Sequence, residues 1–203
     1  MALLHQATLT PGKRELMHAW LPSQSWYDGT ERKPVGSFRL DDPAGEVGCE
    51  FFLLGGEGLS TLFLPLTYRA APLEGAEEFL VGTTQHSVLG PRWAYDGCGD
   101  PVGMSVLLTA ILTGGHEATL VLATEDGREV IMDPTCRITG SGTSPEAVTV
   151  DSVSVADAGD PTVVQAGGYE LVIARVLGAG VSGRETLTAT WADHAPVVVA
   201  AVR

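Results

Sequence analysis

Lysine is the scarcest charged residue in this chain: Lys13 and Lys33 occur, and none follows. Twelve basic side chains stand against 25 acidic ones, a formal net charge of −13, and no basic run is present. Binding to nucleic acid or anionic membranes depends on clustered Lys and Arg, so neither partner is expected. Cysteine is also sparse. Cys49, Cys98 and Cys136 are an odd number without CxxC spacing, which argues against a disulfide framework and a zinc site. Free thiols in a reducing cytosol are the expectation.

Other absences narrow the field further. No uninterrupted apolar run reaches transmembrane length. The N-terminal MALLHQATLTPGK lacks the basic region and small-residue cleavage site of a secretory signal, so a cytoplasmic location is expected. His5, His18, His116 and His194 form no H-x-x-x-H pair, and Gly55–Gly58 lacks the GK[ST] ending of a phosphate loop. The acidic set Asp41, Asp42, Glu46 and Glu50 lacks EF-hand spacing and is broken by Pro43, so it reads as a solvated turn. No metal and no cofactor is expected.

What is present suffices for a packed core: 203 residues, 44% of them hydrophobic, enough for one large or two small domains. Thr10 and Pro11 predict a helix start, with Lys13–Leu21 as its body and Pro22 as its end. Leu16, Met17, Trp20 and Leu21 share one face of it, while Arg14, Glu15 and His18 point away. Val35–Leu40, Glu46–Leu54 and Leu59–Arg69 read as antiparallel strands, the last two joined by a Gly-rich tip, and Phe79–Thr84 as a fourth. Asp100-Pro101 opens a second helix, Val102–Thr113, closed by Gly114. It is apolar nearly all round and therefore belongs in the core. From residue 116 the pattern is strands: Ala118–Ala123, Glu129–Met132, Ala147–Val155, Tyr169–Leu177, Thr186–Trp191 and Val197–Val202. Thr139–Pro145 and Asp157–Gly168 read as linkers. The expected fold class is α+β, with an α+β part at 1–113 and a β-rich extension at 114–203.

Two segments carry a family resemblance. Trp20-Leu-Pro-Ser-Gln-Ser-Trp-Tyr-Asp-Gly29 is similar to the W-L-x-x-Q-x-W-Y/F-x-G segment near the start of bacterial maltokinases and glucosamine kinases. Tyr95-Asp-Gly-Cys-Gly-Asp-Pro101, leading into an apolar helix, resembles the end of the N-terminal cap of those enzymes. The order helix, hairpin strands, helix over residues 10–113 agrees. The resemblance implies a curved antiparallel sheet packed with helices, of cystatin-like topology, which in the family precedes a kinase body related to aminoglycoside phosphotransferases. In the tail, Val176–Gly183 with the two strand-like runs after it resembles the first hairpin of the family's nucleotide lobe. Ala200 then stands where that lobe carries its phosphate-pairing lysine. No catalytic loop or metal-binding aspartate motif follows it here. Phosphoryl transfer rests on such positioning and charge-stabilising groups, so a chain that does not act as a kinase is expected.

The densest set of reactive side chains is His86, Arg92, Trp93, Tyr95 and Asp96. Catalysis by His86 with Asp96 or Asp100 is one reading, but Asp100 has a role as helix N-cap and Ser87 lacks a G-x-S-x-G context. Arg92 with Asp96 is also readable as a local ion pair. A ligand-binding set of these five is the second reading, and packing the third. Trp20 and Trp26 are expected to anchor the first helix to the sheet. The functional expectation is a non-catalytic accessory protein that binds another protein or itself, linked to α-glucan or amino-sugar metabolism. The alternatives are a sugar-like small-molecule binding module using 86–96, and an enzyme of unrelated chemistry.

Overall fold

The computed structural model describes residues 2–4, 7–123, 129–178, 180–192 and 194–203. In chain order its elements are β1 (Ala2–Leu4), β2 (Leu9–Thr10), α1 (Lys13–Trp20), β3 (Lys33–Asp41), β4 (Gly48–Gly56), β5 (Leu59–Arg69), β6 (Leu80–His86), β7 (Gly90–Asp96) and α2 (Pro101–Thr113). After α2 come β8 (Leu120–Ala123), β9 (Glu129–Met132), β10 (Arg137–Gly140), β11 (Val153–Asp157), β12 (Thr162–Ala166), β13 (Tyr169–Ile173), β14 (Glu185–Thr190) and β15 (Val197–Val202). The fold is α+β, as expected, and mostly sheet.

The first sheet is antiparallel, with strand order β2-β6-β7-β5-β4-β3. Side chains alternate across it because successive residues of a strand point to opposite faces. Phe52 and Leu54 of β4 with Leu62, Leu64 and Leu66 of β5 meet Leu16, Met17, Trp20 and Leu21 of α1 and its continuation on one face. Burying each of these large α1 side chains stabilises the sheet–helix contact by about 1.5–3 kcal/mol. Phe38, Phe51 and Phe63 point the other way, stacked with centroids 4.7 and 6.1 Å apart, toward α2.

The second sheet has strand order β10-β14-β15-β13-β12-β11. It faces α2 from the far side, so one apolar cluster runs from Phe51 and Phe63 through Met104, Leu107 and Ile111 to Val164, Leu171, Leu187 and Val199. That double contact is why α2 has almost no polar face. Its N-cap is Asp100, whose carboxylate accepts from the Val102 N–H at 2.9 Å, and Gly114 closes it in the left-handed conformation at φ 68°. A third sheet, β1-β8-β9, sets β1 parallel to β8. Among the described residues no helix is long and apolar enough to cross a membrane.

Several expectations are corrected. The α1 N-cap is Gly12, not Thr10, which lies in β2; the Glu15 carboxylate accepts the Gly12 N–H at 2.7 Å. Pro22 does not end the helical path, since a 3-10 turn, Leu21–Ser23, continues it. The stretches read as linkers contain the end of β10 and all of β12. The strands on either side of the 176–183 stretch, β13 and β14, are not neighbours, because β15 lies between them; the two strand-like runs after that stretch, β14 and β15, do pair antiparallel. All three cysteines are free and buried. Burial pushes the Cys49 and Cys136 thiols up to about 12 and raises that of Cys98 well above its ordinary value, so they are poor nucleophiles.

Candidate functional site

The α1 face of the first sheet changes character along its strands. Where α1 covers it, β4 and β5 present leucines and Phe52. Continuing along the same face by steps of two, β4 presents Glu50, β5 presents Tyr68, β3 presents Arg39 and Asp41, and β7 presents Arg92. The registers Arg39↔Glu50 and Tyr68↔Ala94 place them on one surface. With Lys13 at the start of α1 and the turn 41–47, these residues line an open cleft of about 730 Å³. Small-molecule sites typically span roughly 300–1,000 Å³.

The electrostatics of this cleft are mixed. Lys13 Nζ reaches both Glu50 oxygens at 2.7 and 2.5 Å and sits 5.3 Å from the centre of the Tyr68 ring. Arg39 adds a contact to Glu50 at 3.5 Å. Glu50 is thus a buried, doubly paired carboxylate rather than part of a solvated turn. Asp42 does serve the turn: its carboxylate accepts the N–H groups of Ala44, Glu46 and Val47, each at 3.0 Å. Arg39 Nε and Tyr68 Oη are buried without a hydrogen-bond partner. Burial drives the Tyr68 phenol well above its ordinary range, so it stays protonated.

A second cluster is closed. Arg175 follows β13, and the segment 175–177 runs beside β5, with Phe63 N–H donating to the Arg175 carbonyl and Leu177 N–H to that of Thr61. The Arg175 guanidinium is 2% exposed and donates through Nη2 to Asp96 at 2.6 Å and through Nε to Thr162 at 2.8 Å. It lies 5.3 Å from the Trp26 ring, and Trp26 packs edge-on against Trp20 at 5.9 Å. A small cavity of about 110 Å³ adjoins it, lined by Trp20, Gln24, Phe79, Asp96 and Thr162 among others. Burial works to lower the pKa of the Arg175 guanidinium, but the Asp96 carboxylate outweighs it and keeps the cation charged.

A third pairing holds α2. Asp100, with its side chain fully buried, receives Thr67 Oγ1 at 2.7 Å and two hydrogen bonds from Arg69 at 2.7 and 2.6 Å. Burial would raise the Asp100 carboxyl; the bonds from Arg69 and Thr67 outweigh that and hold it below the usual carboxylate range.

The five residues singled out in the sequence are distributed over these settings. Strand β7 alternates, so Arg92 and Asp96 share the α1 face while Trp93 and Tyr95 point to the other. His86 and Arg92 line the open cleft; Asp96 lines the small cavity. His86 Nδ1 accepts the N–H groups of Val88 and Leu89 in the β6–β7 turn. Buried Tyr95 accepts the Leu73 N–H through its hydroxyl at 2.9 Å, and Trp93 is half-buried. Arg92 and Asp96 do not pair; Asp96 takes Arg175 instead. Sequence reasoning passed over Lys13, Arg39, Tyr68 and Arg175. The signal was a charge at a core-phase position, as with Glu50 inside Cys49-Glu-Phe-Phe and Arg175 inside Leu171-Val-Ile-Ala-Arg-Val.

Fold and site together define an α+β cap-like body: a curled antiparallel sheet held between two helices, with its open end polar. Residues 20–100 match the maltokinase N-terminal cap domain family. The match starts at Trp20, which opens the tryptophan segment, and stops at Asp100, the N-cap of α2. This chain therefore carries a maltokinase-cap-like module. No curated protein matches the chain.

Proposed function

We propose that the protein is a non-catalytic accessory module, linked to α-glucan or amino-sugar metabolism, that works by binding a protein partner or a second copy of itself. The observation that carries this reading is β9. It is an edge strand, and Val130, Ile131 and Met132 are all exposed, Ile131 at 71%. An apolar strand with an unpaired edge is a template for strand addition. The buried ionisable groups support the non-catalytic part: Asp96, Asp100 and Glu50 are committed to arginine or lysine partners, and the thiols are protonated. Sedimentation velocity over a range of concentrations, with and without a maltokinase-family kinase, tests the binding reading. Association that Ile131→Lys abolishes is the expected result. A monomer at every concentration, with no kinase complex, overturns it, and ATP consumption above background with maltose or glucosamine overturns the non-catalytic reading.

One observation favours a second reading, a sugar-like small-molecule binding module. The cleft has a ligand's volume and brings His86 and Arg92 of the 86–96 segment together with paired charges and a tyrosine. Maltose or glucosamine shifting the amide resonances of residues 39–48 would support it; unchanged spectra with both sugars would remove it.

A further inference from the structure

One edge of each large sheet is closed by specific hydrogen bonds. At β3, Ala118 N–H donates to the Arg39 carbonyl at 2.8 Å. The Thr135 hydroxyl accepts the Ser37 N–H at 2.9 Å and donates to the Ser37 carbonyl at 3.1 Å. At β10, Ile138 N–H donates to the Glu117 carboxylate at 2.9 Å and Gly140 N–H to the Gly115 carbonyl at 3.0 Å. Strand β9 has no such cover: among the described residues, 130–132 make no hydrogen bond beyond the ladder with β8. Its side chains are open on both faces. Ile131 shares a face with buried Val121 and is 71% exposed, while exposed Val130 and Met132 share the other with half-buried Leu122 and Leu120. An apolar, unblocked edge is a template for a further strand.

Charge selects what that strand can be. In sequence the three apolar residues are bracketed by Glu129 and Asp133. Two copies paired antiparallel through Ile131 would set residue 129 of each against residue 133 of the other, acid against acid, between chains of formal charge −13. Like charges directly opposite destabilise a strand pair, and net charge of one sign opposes association. A second copy is therefore a poor occupant. Opposite charges at the same two positions contribute favourably. We propose that β9 receives an extended segment of another protein in which three apolar residues lie between two basic ones. The proposal rests on the reading above that the protein works by binding a partner, and adds the class of segment that the partner presents. Backbone bonds to β9 give the attachment. The bracketing acids give the selectivity, repelling acidic strands, this chain's own included, as well as attracting basic ones.

Titration of the full chain at low ionic strength with two end-blocked peptides, Thr-Lys-Val-Ile-Val-Lys-Thr and Thr-Glu-Val-Ile-Val-Glu-Thr, tests this through the amide resonances of residues 129–133. The lysine peptide is expected to shift them and to bind about tenfold more tightly than the glutamate peptide. Added salt should shrink the difference. Glu129→Lys combined with Asp133→Lys should invert the preference, and Ile131→Lys should remove binding of both, each with a circular dichroism spectrum matching the wild type. Equal binding of the two peptides, or tighter binding of the glutamate peptide, overturns the proposal; loss of both on Ile131→Lys would still leave β9 as a docking edge. No binding of either peptide at millimolar concentration overturns the proposal outright. Sedimentation velocity then separates it from the reading it rests on. A kinase complex or self-association that Ile131→Lys abolishes leaves that reading standing, and a monomer with no complex takes both.

Discussion

Arg175 and Arg92 border cavities on the same face of the first sheet, and burial gives them opposite roles. Arg175 is 2% exposed and sits in a closed junction with Asp96, Thr162, Cys98 and the Trp26 ring. Arg92 is half-exposed at the rim of an open cleft, with one bond to its neighbour's carbonyl. In low dielectric an unpaired charge is costly, so a buried arginine without its carboxylate penalises the fold. At a wet rim the same cation costs little and remains available to a ligand. The closed junction joins the cap-like segment to the β-rich segment after α2, and the open cleft faces outward from the cap.

The contrast can be broken first at Arg175. Arg175→Ala leaves Asp96 buried and unpaired and should cost about 3–5 kcal/mol, read as a fall in the urea midpoint. Next is Gly140, at the end of β10, where a Cβ would lie 1.9 Å from the Ala110 carbonyl oxygen of α2. The Gly140 backbone in β10 and the Ala110 carbonyl in α2 are both held in regular structure, so Gly140→Ala should cost about 3 kcal/mol, toward the upper end of overpacking effects, again by urea unfolding. A stability near wild type would show that α2 and β10 are not in close contact.

Asp100→Asn probes a buried carboxylate within the cap itself. It should cost about 2 kcal/mol at neutral pH, the range for hydrogen bonds to charged groups. Its folded pKa is depressed, so its contribution is full above the unfolded value near 3.9 and disappears as pH falls through the lower folded value. The gap between Asp100→Asn and wild type should therefore narrow on acidification through that window. A gap that stays constant would remove the ionic account. Smallest is Arg92→Gln, expected to change stability by no more than about 0.5 kcal/mol while altering the cleft's response to charged ligands. A loss comparable to that of Arg175→Ala would erase the distinction between rim and junction.

Much of the framework was legible because its signals are local. The Leu59–Arg69 alternation, the Asp100 cap and the Gly114 stop each depend on a few neighbouring residues, and each stands where the sequence put it. The tryptophan segment was legible as a family feature, and the match to residues 20–100 begins on its first residue. The site was less legible because it is assembled from distant parts. Lys13 and Glu50 are 37 residues apart and Asp96 and Arg175 are 79 apart, and nothing in either stretch names its partner. Strand β7 was hidden for a different reason. Its reactive side chains drew attention to chemistry in the 86–96 segment, while the alternation that splits Arg92 and Asp96 from Trp93 and Tyr95 is a property of the strand. Strands β10 and β12 lie within or run into Gly-, Ser- and Asp-rich stretches, where turn composition masks four or five strand residues.

The most direct test of the division between holding charges and available charges is a double-mutant cycle on Asp96 and Arg175, followed by urea unfolding. Asp96→Asn, Arg175→Met and the pair should reveal a coupling of about 2–3 kcal/mol, the upper range for contacting buried groups. A coupling near zero, with each single variant as stable as Arg92→Gln, would contradict the account: the Asp96–Arg175 pair would not be what fastens the β-rich segment to the cap.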